Sequence, residues 1–354
     1  DLYSFDSPLK AFRLNLLKEP INLYEWLSHL SGGFSEPYTF GERMAIWGKE
    51  NYKRFDVVHD NQTLAYGLIK LRDMGVPVVG TIHHPITMDK RIDIKHAETL
   101  SLKLLKWRWY SFLKMQIKVA RKLDPIIVVS ENTRKDVVKD FKIDPKKTRK
   151  VLHGIDHKTF EPIPSIKRKK NQLITTASAD VPLKGLIYLI RAYSELLNEF
   201  PDLSLVVIGK LRDGPTSNEL DKKDIKNKVK FISDLTSREI AELYAESTIA
   251  ISPSVYEGFG FPAGEAMSCG IPLISTNGGS LPEVVGDSGI IVPHSNPNEL
   301  RKAIKELLLS PEKRKELGEK GRKRVLEKFT WKRAAKELVE VYREAISNAD
   351  NRSR

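Results

Sequence analysis

Strands alternate with helices twice along the 354 residues. This predicts an α/β chain of two Rossmann-like domains facing each other across a cleft. Three observations carry the prediction. The length exceeds one ordinary domain and fits two of about 150 to 200 residues. The strands are short, apolar and β-branched, as a parallel sheet buried on both faces requires. Between the two blocks lies EPIPSIKRKKN (161–171), with two prolines, a basic run and no apolar pattern, which reads as a linker. The expected organisation is an incomplete N-terminal domain over 1–160, the linker, a second domain over 172–330, and a final helix over 331–354.

The first 54 residues show weak periodicity and read as irregular, apart from a helical LYEWLSHL at 23–30. FDVVH (55–59) is a strand, LAYGLIKLRDM (64–74) a helix and VPVVGTIH (76–83) a strand. Leu100 to Leu123 reads as one long basic helix, and PIIVVS (125–130) as the next strand. A helix follows near Glu131, with Ser130 placed to cap its first amides, and then a short strand at 150–152. In the second block the strands are LITTA (173–177), LSLVVIG (203–209), VKFIS (229–233), TIAIS (248–252), PLIS (272–275) and GIIVP (289–293). Their helices are GLIYLIRAYSELLNEF (185–200), with apolar spacing of three and four, one from Thr236 and a short one near Pro262. Helices over 298–309, 311–328 and 331–347 close the chain, the last capped by Thr330.

Composition excludes several classes. Hydrophobic residues make up 40% and charged residues 30%, so the chain is not compositionally disordered. No apolar run approaches the roughly 18 to 20 residues of a membrane span. Cys269 has no cysteine to pair with, and no signal peptide precedes the fold, so a reducing cytoplasmic setting is expected. The net charge is +13, and residues 90–150 hold 18 Lys and Arg against 7 Asp and Glu, an excess of 11. Within that stretch Trp107, Trp109, Tyr110 and Phe112 interleave with cations. Two readings stand side by side: a helix on an anionic membrane face, or a core-packed helix with a solvated basic side. Nucleic-acid binding is not expected, for there is no zinc-finger spacing, no aromatic ribonucleoprotein signature and no basic tail. Adjacent histidines His83 and His84 point apart on a strand, and no metal site is expected.

The chemistry gathers around YEGFGFPAGE (256–265), which follows a strand and opens a helix. Pro262 suits the first turn. Gly258 and Gly260 allow a ligand close to the backbone, and the helix start behind them suits a phosphate. Glu257 and Glu265 border this anion site, and acceptor-only carboxylates suit sugar hydroxyls. The composite describes a phosphate joined to sugars, a nucleotide sugar. VPLKG (181–185) puts Lys184 in a first helical turn, where an anion would offset its clash with the helix dipole.

At these residues the chain resembles the group 1, or family 4, retaining glycosyltransferases of the GT-B fold. Glu257 and Glu265 meet the family's E-x7-E pattern inside SPSVYEGFGFPAGEAMSCGIPLIST, followed by GGSLPEVVGDSG (278–289). DVVH (56–59), VVGTIHHP (78–85), VVSENTRKDV (128–137), HGIDHKTFEP (153–162) and LKG (183–185) match as well. The resemblance implies transfer of a glycosyl unit from a nucleotide diphosphate sugar, with retention, no metal and no cofactor. The acceptor would be a glycan, a lipid-linked sugar or a small molecule. By the same implication, Lys184 and Gly185 meet the diphosphate, Glu265 the ribose hydroxyls and Glu257 the transferred sugar. Gly258, Phe259, Gly260 and Phe261 line the donor, His83 faces the sugar and acceptor, and the last helix crosses back to the first domain.

Two departures qualify the match. Ser178 stands where many members carry an arginine. The chain also opens without the family's first strand and glycine-rich loop, so an N-terminal segment is expected to be missing. The alternatives are a silent nucleotide-sugar-binding protein and a GT-B epimerase or phosphorylase. Attachment to the inner membrane face through 90–150 completes the expectations.

Overall fold

The computed structural model describes residues 18–177 and 181–353. They form two compact units. One comprises the chain up to Val129, Thr133–Val151 and the residues from Glu337; the other comprises Ser130–Asn132 and Leu152–Lys336.

The first unit holds a parallel sheet of four strands in the order β1 (Val58–Asn61), β2 (Val78–Ile82), β3 (Ile126–Val128), β4 (Thr148–Lys150). β2 and β3 are buried at every position, which is why their sequence reads as continuous apolar runs rather than alternation. Before the sheet come α1 (Pro20–Leu30) and α2 (Glu36–Asn51), where the sequence read as largely irregular. The reason lies in what α2 buries: Thr39, Gly41, Ala45 and Gly48, a face of small residues. Gly41 and Gly67 are in such close approach that a Cβ on either would strike the other segment. Hydrophobic periodicity does not register a face built by leaving side chains out.

α3 (Tyr66–Asp73) follows β1, and α4 (Thr87–Lys95) follows β2. The long basic helix expected over 100–123 is broken. α5 (Leu100–Trp109) ends in a 3₁₀ turn at Tyr110–Phe112, and α6 (Leu113–Ala120) continues. At the break Tyr110 is buried and its hydroxyl donates to Asp93 Oδ2 over 2.8 Å. α6 packs into the core through Leu113, Met115, Val119 and Ala120, whereas α5 buries no residue. α6 thus matches the core-packed reading, while α5 is exposed along most of its length. α7 (Glu131–Phe141) leads to β4. From Glu337 onward the last helix, α15 (Trp331–Ser353), lays Val341 and Ala345 against Val79, Ile127 and Val151. Tyr342 hydrogen-bonds His59 Nδ1 at 2.7 Å, and Glu344 pairs with Arg149.

The second unit is a six-stranded parallel sheet. In chain order its strands are β5 (Gln172–Thr176), β6 (Ser204–Ile208), β7 (Val229–Ile232), β8 (Ile249–Ser252), β9 (Leu273–Thr276) and β10 (Ile290–Val292). In space the order is β10-β9-β8-β5-β6-β7. The strand order therefore reverses between β5 and β8, which pair with Leu173 opposite Ile249 and Ile174 opposite Ala250. In open α/β sheets, ligands bind outside the carboxyl ends of the strands at such a reversal. The helices between and after these strands are α8 (Leu186–Leu196), α9 (Pro215–Lys222), α10 (Ser237–Glu246), α11 (Phe261–Ser268), α12 (Leu281–Val285), α13 (Pro297–Leu309) and α14 (Pro311–Lys328). Residues 161–171 belong to this unit, where Lys169 N–H donates to the Glu246 carbonyl at 2.8 Å and Arg168 to the Gly270 carbonyl at 2.9 Å. Arg322 Nη1 ties the turn before them, reaching the carbonyls of His157, Phe160 and Ser268 within 3.0 Å.

Candidate active site

The two loops leaving β5 and β8 meet at the reversal point. After β5, Pro182–Lys184 form a 3₁₀ turn, and Gly185 turns left-handed (φ 62°) before α8 begins at Leu186. Lys184 therefore stands ahead of α8 and not in its first turn, contrary to the sequence reading. Gly185 is obligatory there twice over. Its φ favours glycine, and a Cβ would collide with the Pro253 carbonyl oxygen of the other loop. The Leu183 carbonyl accepts from Val255 N–H at 2.7 Å, so the two loops are knitted through backbone.

The side chains converge at the same place. Lys184 Nζ lies 2.7 Å from Glu257 Oε1, and Ser254 Oγ donates to the same oxygen at 2.8 Å. The Glu257 side chain is 13% exposed and Lys184 33%, so the pair is half-screened from water. The backbone of Glu257 is fixed from a third loop: Ser280 N–H and Oγ each donate to its carbonyl at 3.0 Å, and Ser280 Oγ also reaches Phe259 O at 2.7 Å. In the sequence GGSLPEVV stands only as a family match, and nothing local assigns a role to Ser280 or Ser254. A serine three residues before the first glutamate was the available signal for Ser254.

Gly260 (φ 100°) is the N-cap of α11, whose second residue is Pro262. Phe259 is buried and packs edge-on against Phe261 at 5.2 Å, with His153 5.1 Å from Phe261. These contacts set the pitch of the Gly258–Gly260 loop. Glu265 sits one turn into α11. Burial pushes its carboxyl up to about 7 from an ordinary 4.5, and among the described residues no donor reaches it. The carboxylate is thus an acceptor short of partners beside the loop that a phosphate would occupy. Tyr244, wholly buried near it, is raised in turn by desolvation and by that charge. Ser178 lies outside the described residues.

His83 belongs to the first unit and stands past the end of β2. Its Nε2 is 2.6 Å from Asn61 Oδ1, and its backbone N–H donates to the Gln62 side chain. Burial, with His84 and His59 nearby, lowers its pKa. Among the described residues no cluster of three or more His, Cys, Asp or Glu could hold a metal ion, and no helix is long and apolar enough to cross a membrane. Cys269 is buried, which pushes its thiol up to about 12 and makes it a packing residue.

Comparison with known proteins covers nearly the whole chain. The family model Glycosyl transferases group 1 matches residues 158–324, and Glycosyltransferase Family 4 matches 7–159. An MMP alpha-(1->4)-mannosyltransferase of Mycolicibacterium hassiacum is 39% identical over 98% of this chain and 84% of its own length. A D-inositol 3-phosphate glycosyltransferase of Streptomyces bingchenggensis is 27% identical over 86% of this chain and 70% of that protein. Among solved structures, sucrose-phosphate synthase of Thermosynechococcus elongatus superposes with a TM-score of 0.72 at 21% identity, covering 88% of this chain and 78% of the other. Anabaena Alr3699/HepE in complex with UDP and glucose superposes at 0.70 and 18% identity, covering 85% and 82%.

Proposed function

The chain belongs to the group 1 glycosyltransferase family, with the GT-B fold, and from that premise we propose that it moves a mannosyl group from a nucleotide diphosphate sugar to a saccharide acceptor. Retention of anomeric configuration and independence of a bound metal are parts of the same proposal. One observation carries it: the Lys184–Glu257–Ser254 cluster sits at the strand-order reversal, directly before the Gly258–Gly260 loop and α11. Mannose as the sugar is supported by the mannosyltransferase relative, and a nucleotide donor by the UDP-bound neighbour.

The roles follow from the chemistry of each group. The Lys184 ammonium has three donors and Glu257 takes one direction of them, so the diphosphate can share the cation without displacing the carboxylate. With the α11 amides it stabilises the charge that collects on the leaving diphosphate. Glu257, held by Ser254 and Lys184, turns its remaining acceptor positions to the sugar hydroxyls. Glu265 accepts from the ribose hydroxyls. His83, its Nε2 paired to Asn61, is the first unit's candidate for contact with the sugar and acceptor. Calorimetry with nucleoside diphosphates, followed by a donor panel, tests the reading. Absence of nucleotide binding would sink it, an inverted product would refute retention, and loss of rate in chelator would refute metal independence.

Peripheral attachment to an anionic membrane is a second reading, favoured by α5. Leu100, Leu104 and Trp107, at i, i+4 and i+7, form one exposed ridge with Lys103 beside it.

A further inference from the structure

In the first unit, a cavity of about 230 Å³ opens between α1, α2, α3 and the start of α6. Two aromatic walls border it. On one side Tyr24 meets Tyr38 edge-on at 5.1 Å, and Tyr38 meets Tyr66 edge-on at 6.4 Å. On the other, Phe34 meets Phe112 edge-on at 5.3 Å and is backed by Trp109, stacked at 4.9 Å. Arg108 and Lys114 line the same cavity, with Ser28, Ser35 and Ser111.

The charge at this place is uncompensated. The Arg108 guanidinium is held by neutral groups: Ser31 Oγ at 2.8 Å, Ser111 Oγ at 2.9 Å and Ser28 Oγ at 3.1 Å. Among the described residues neither Arg108 nor Lys114 has a carboxylate partner. The nearby carboxylates are spent elsewhere, Glu25 on Arg43, Asp93 on Lys106 and Glu42 on Lys70. Lys114 and Lys90 repel one another, and Lys118 lies over the Tyr66 ring at 5.4 Å. A guanidinium fixed in place by hydroxyls keeps its full charge for a ligand and loses little freedom on binding it.

Flat apolar rings suit the C–H face of a sugar, serine hydroxyls suit its hydroxyls, and the two cations suit an anionic substituent. The volume falls below the roughly 300 Å³ at which pockets for drug-sized ligands begin, which fits one sugar residue rather than a chain. We propose that this cavity is a subsite for a saccharide residue bearing a phosphate or carboxylate, part of the acceptor. The proposal rests on the transfer reading for the word acceptor. The cavity lies on the side of the sheet where β1 ends: Tyr66 opens α3, and Gln116, next to Met115 of the cavity, donates to the carbonyls of Gln62 and Thr63 just beyond that strand.

The test is calorimetry on the whole chain with four probes: hexose 6-phosphate, hexuronate, the neutral hexose and inorganic phosphate. The two acidic sugars should bind roughly tenfold or more tighter than either the neutral sugar or phosphate alone. Hexose 6-phosphate against hexuronate tells which anion is preferred. Lys114→Ala, at an exposed position, should weaken both acidic sugars about tenfold, and Tyr24→Ala should weaken the sugars but not phosphate. Equal binding of neutral and acidic sugars, phosphate as tight as its sugar ester, or an unchanged Lys114→Ala would each overturn the proposal. A nucleoside diphosphate titrated into the same samples separates the two readings. Nucleotide binding without acidic-sugar binding refutes the subsite alone, and acidic-sugar binding without nucleotide binding refutes the transfer reading.

Discussion

Glu265→Gln should stabilise the free protein above neutral pH while weakening its grip on the donor. Glu265 is held inside α11 with no donor among the described residues, and burial raises its pKa to about 7 from 4.5. In the unfolded chain the carboxyl loses its proton near 4.5, whereas the folded protein retains it until about 7. The folded state therefore binds more protons across that window, and stability falls as pH rises through it. The gap, at about 1.4 kcal/mol per pH unit, corresponds to about 3 kcal/mol of destabilisation once pH exceeds 7. Glutamine keeps the shape and carries no charge to desolvate. Relative to wild type it should gain nothing at pH 4 and about 1 to 3 kcal/mol at pH 8. In a domain of this size each kcal/mol is ~2–4 °C of melting temperature. The assay is thermal unfolding of both proteins from pH 4 to pH 8, following the transition of the second unit. Ribose hydroxyls favour the ionised carboxylate, so nucleoside diphosphate binding should release a proton below pH 7 in wild type and not in the glutamine variant. Parallel stability profiles, or proton release unchanged by the substitution, would refute the reasoning.

Three further outcomes are expected. Lys184→Ala should raise the nucleoside diphosphate Kd by roughly 10- to 100-fold, since one charge-assisted contact is lost and Glu257 is left next to the phosphate; Ser254→Ala should cost less, and equal Kd values by calorimetry would count against the assignment. Gly185→Ala should lower stability by at least about 1 kcal/mol, from its left-handed φ of 62° and the Pro253 carbonyl in the path of a Cβ, and should weaken donor binding by parting the two loops; an unchanged unfolding midpoint would contradict the packing described. Leu104→Ser with Trp107→Ser should abolish co-sedimentation with anionic vesicles while leaving nucleotide affinity unaltered, and equal binding of the native chain to neutral vesicles would leave α5 without a membrane role.

The alternation of strands and helices, the two blocks and the family are legible in the chain's local order, because buried parallel strands and loop glycines leave local signatures. VVGTI, IIV and IAIS can be read as strands without knowing what they touch, and the E-x7-E frame marked Glu257 and Glu265 before any coordinate. Where burial is built from absent side chains the reading failed: α2 hides behind Gly41 and Gly48, and nothing in hydropathy distinguishes them from loop glycines. It also merged α5 with α6, since a 3₁₀ break depends on Tyr110 finding Asp93 17 residues away.

Tertiary structure alone decided the partnerships. That Lys184 meets Glu257 across 73 residues, that Ser280 fixes the backbone of Glu257, and that Glu265 keeps its proton to about 7 follow from strand order. So does the position of the excess charge: the +13 of the whole chain says nothing about Arg108 ringed by serines and flanked by aromatic walls. Net charge is a sum over residues, while a binding site depends on which neighbours remain to neutralise each one, and only the folded chain brings those neighbours together.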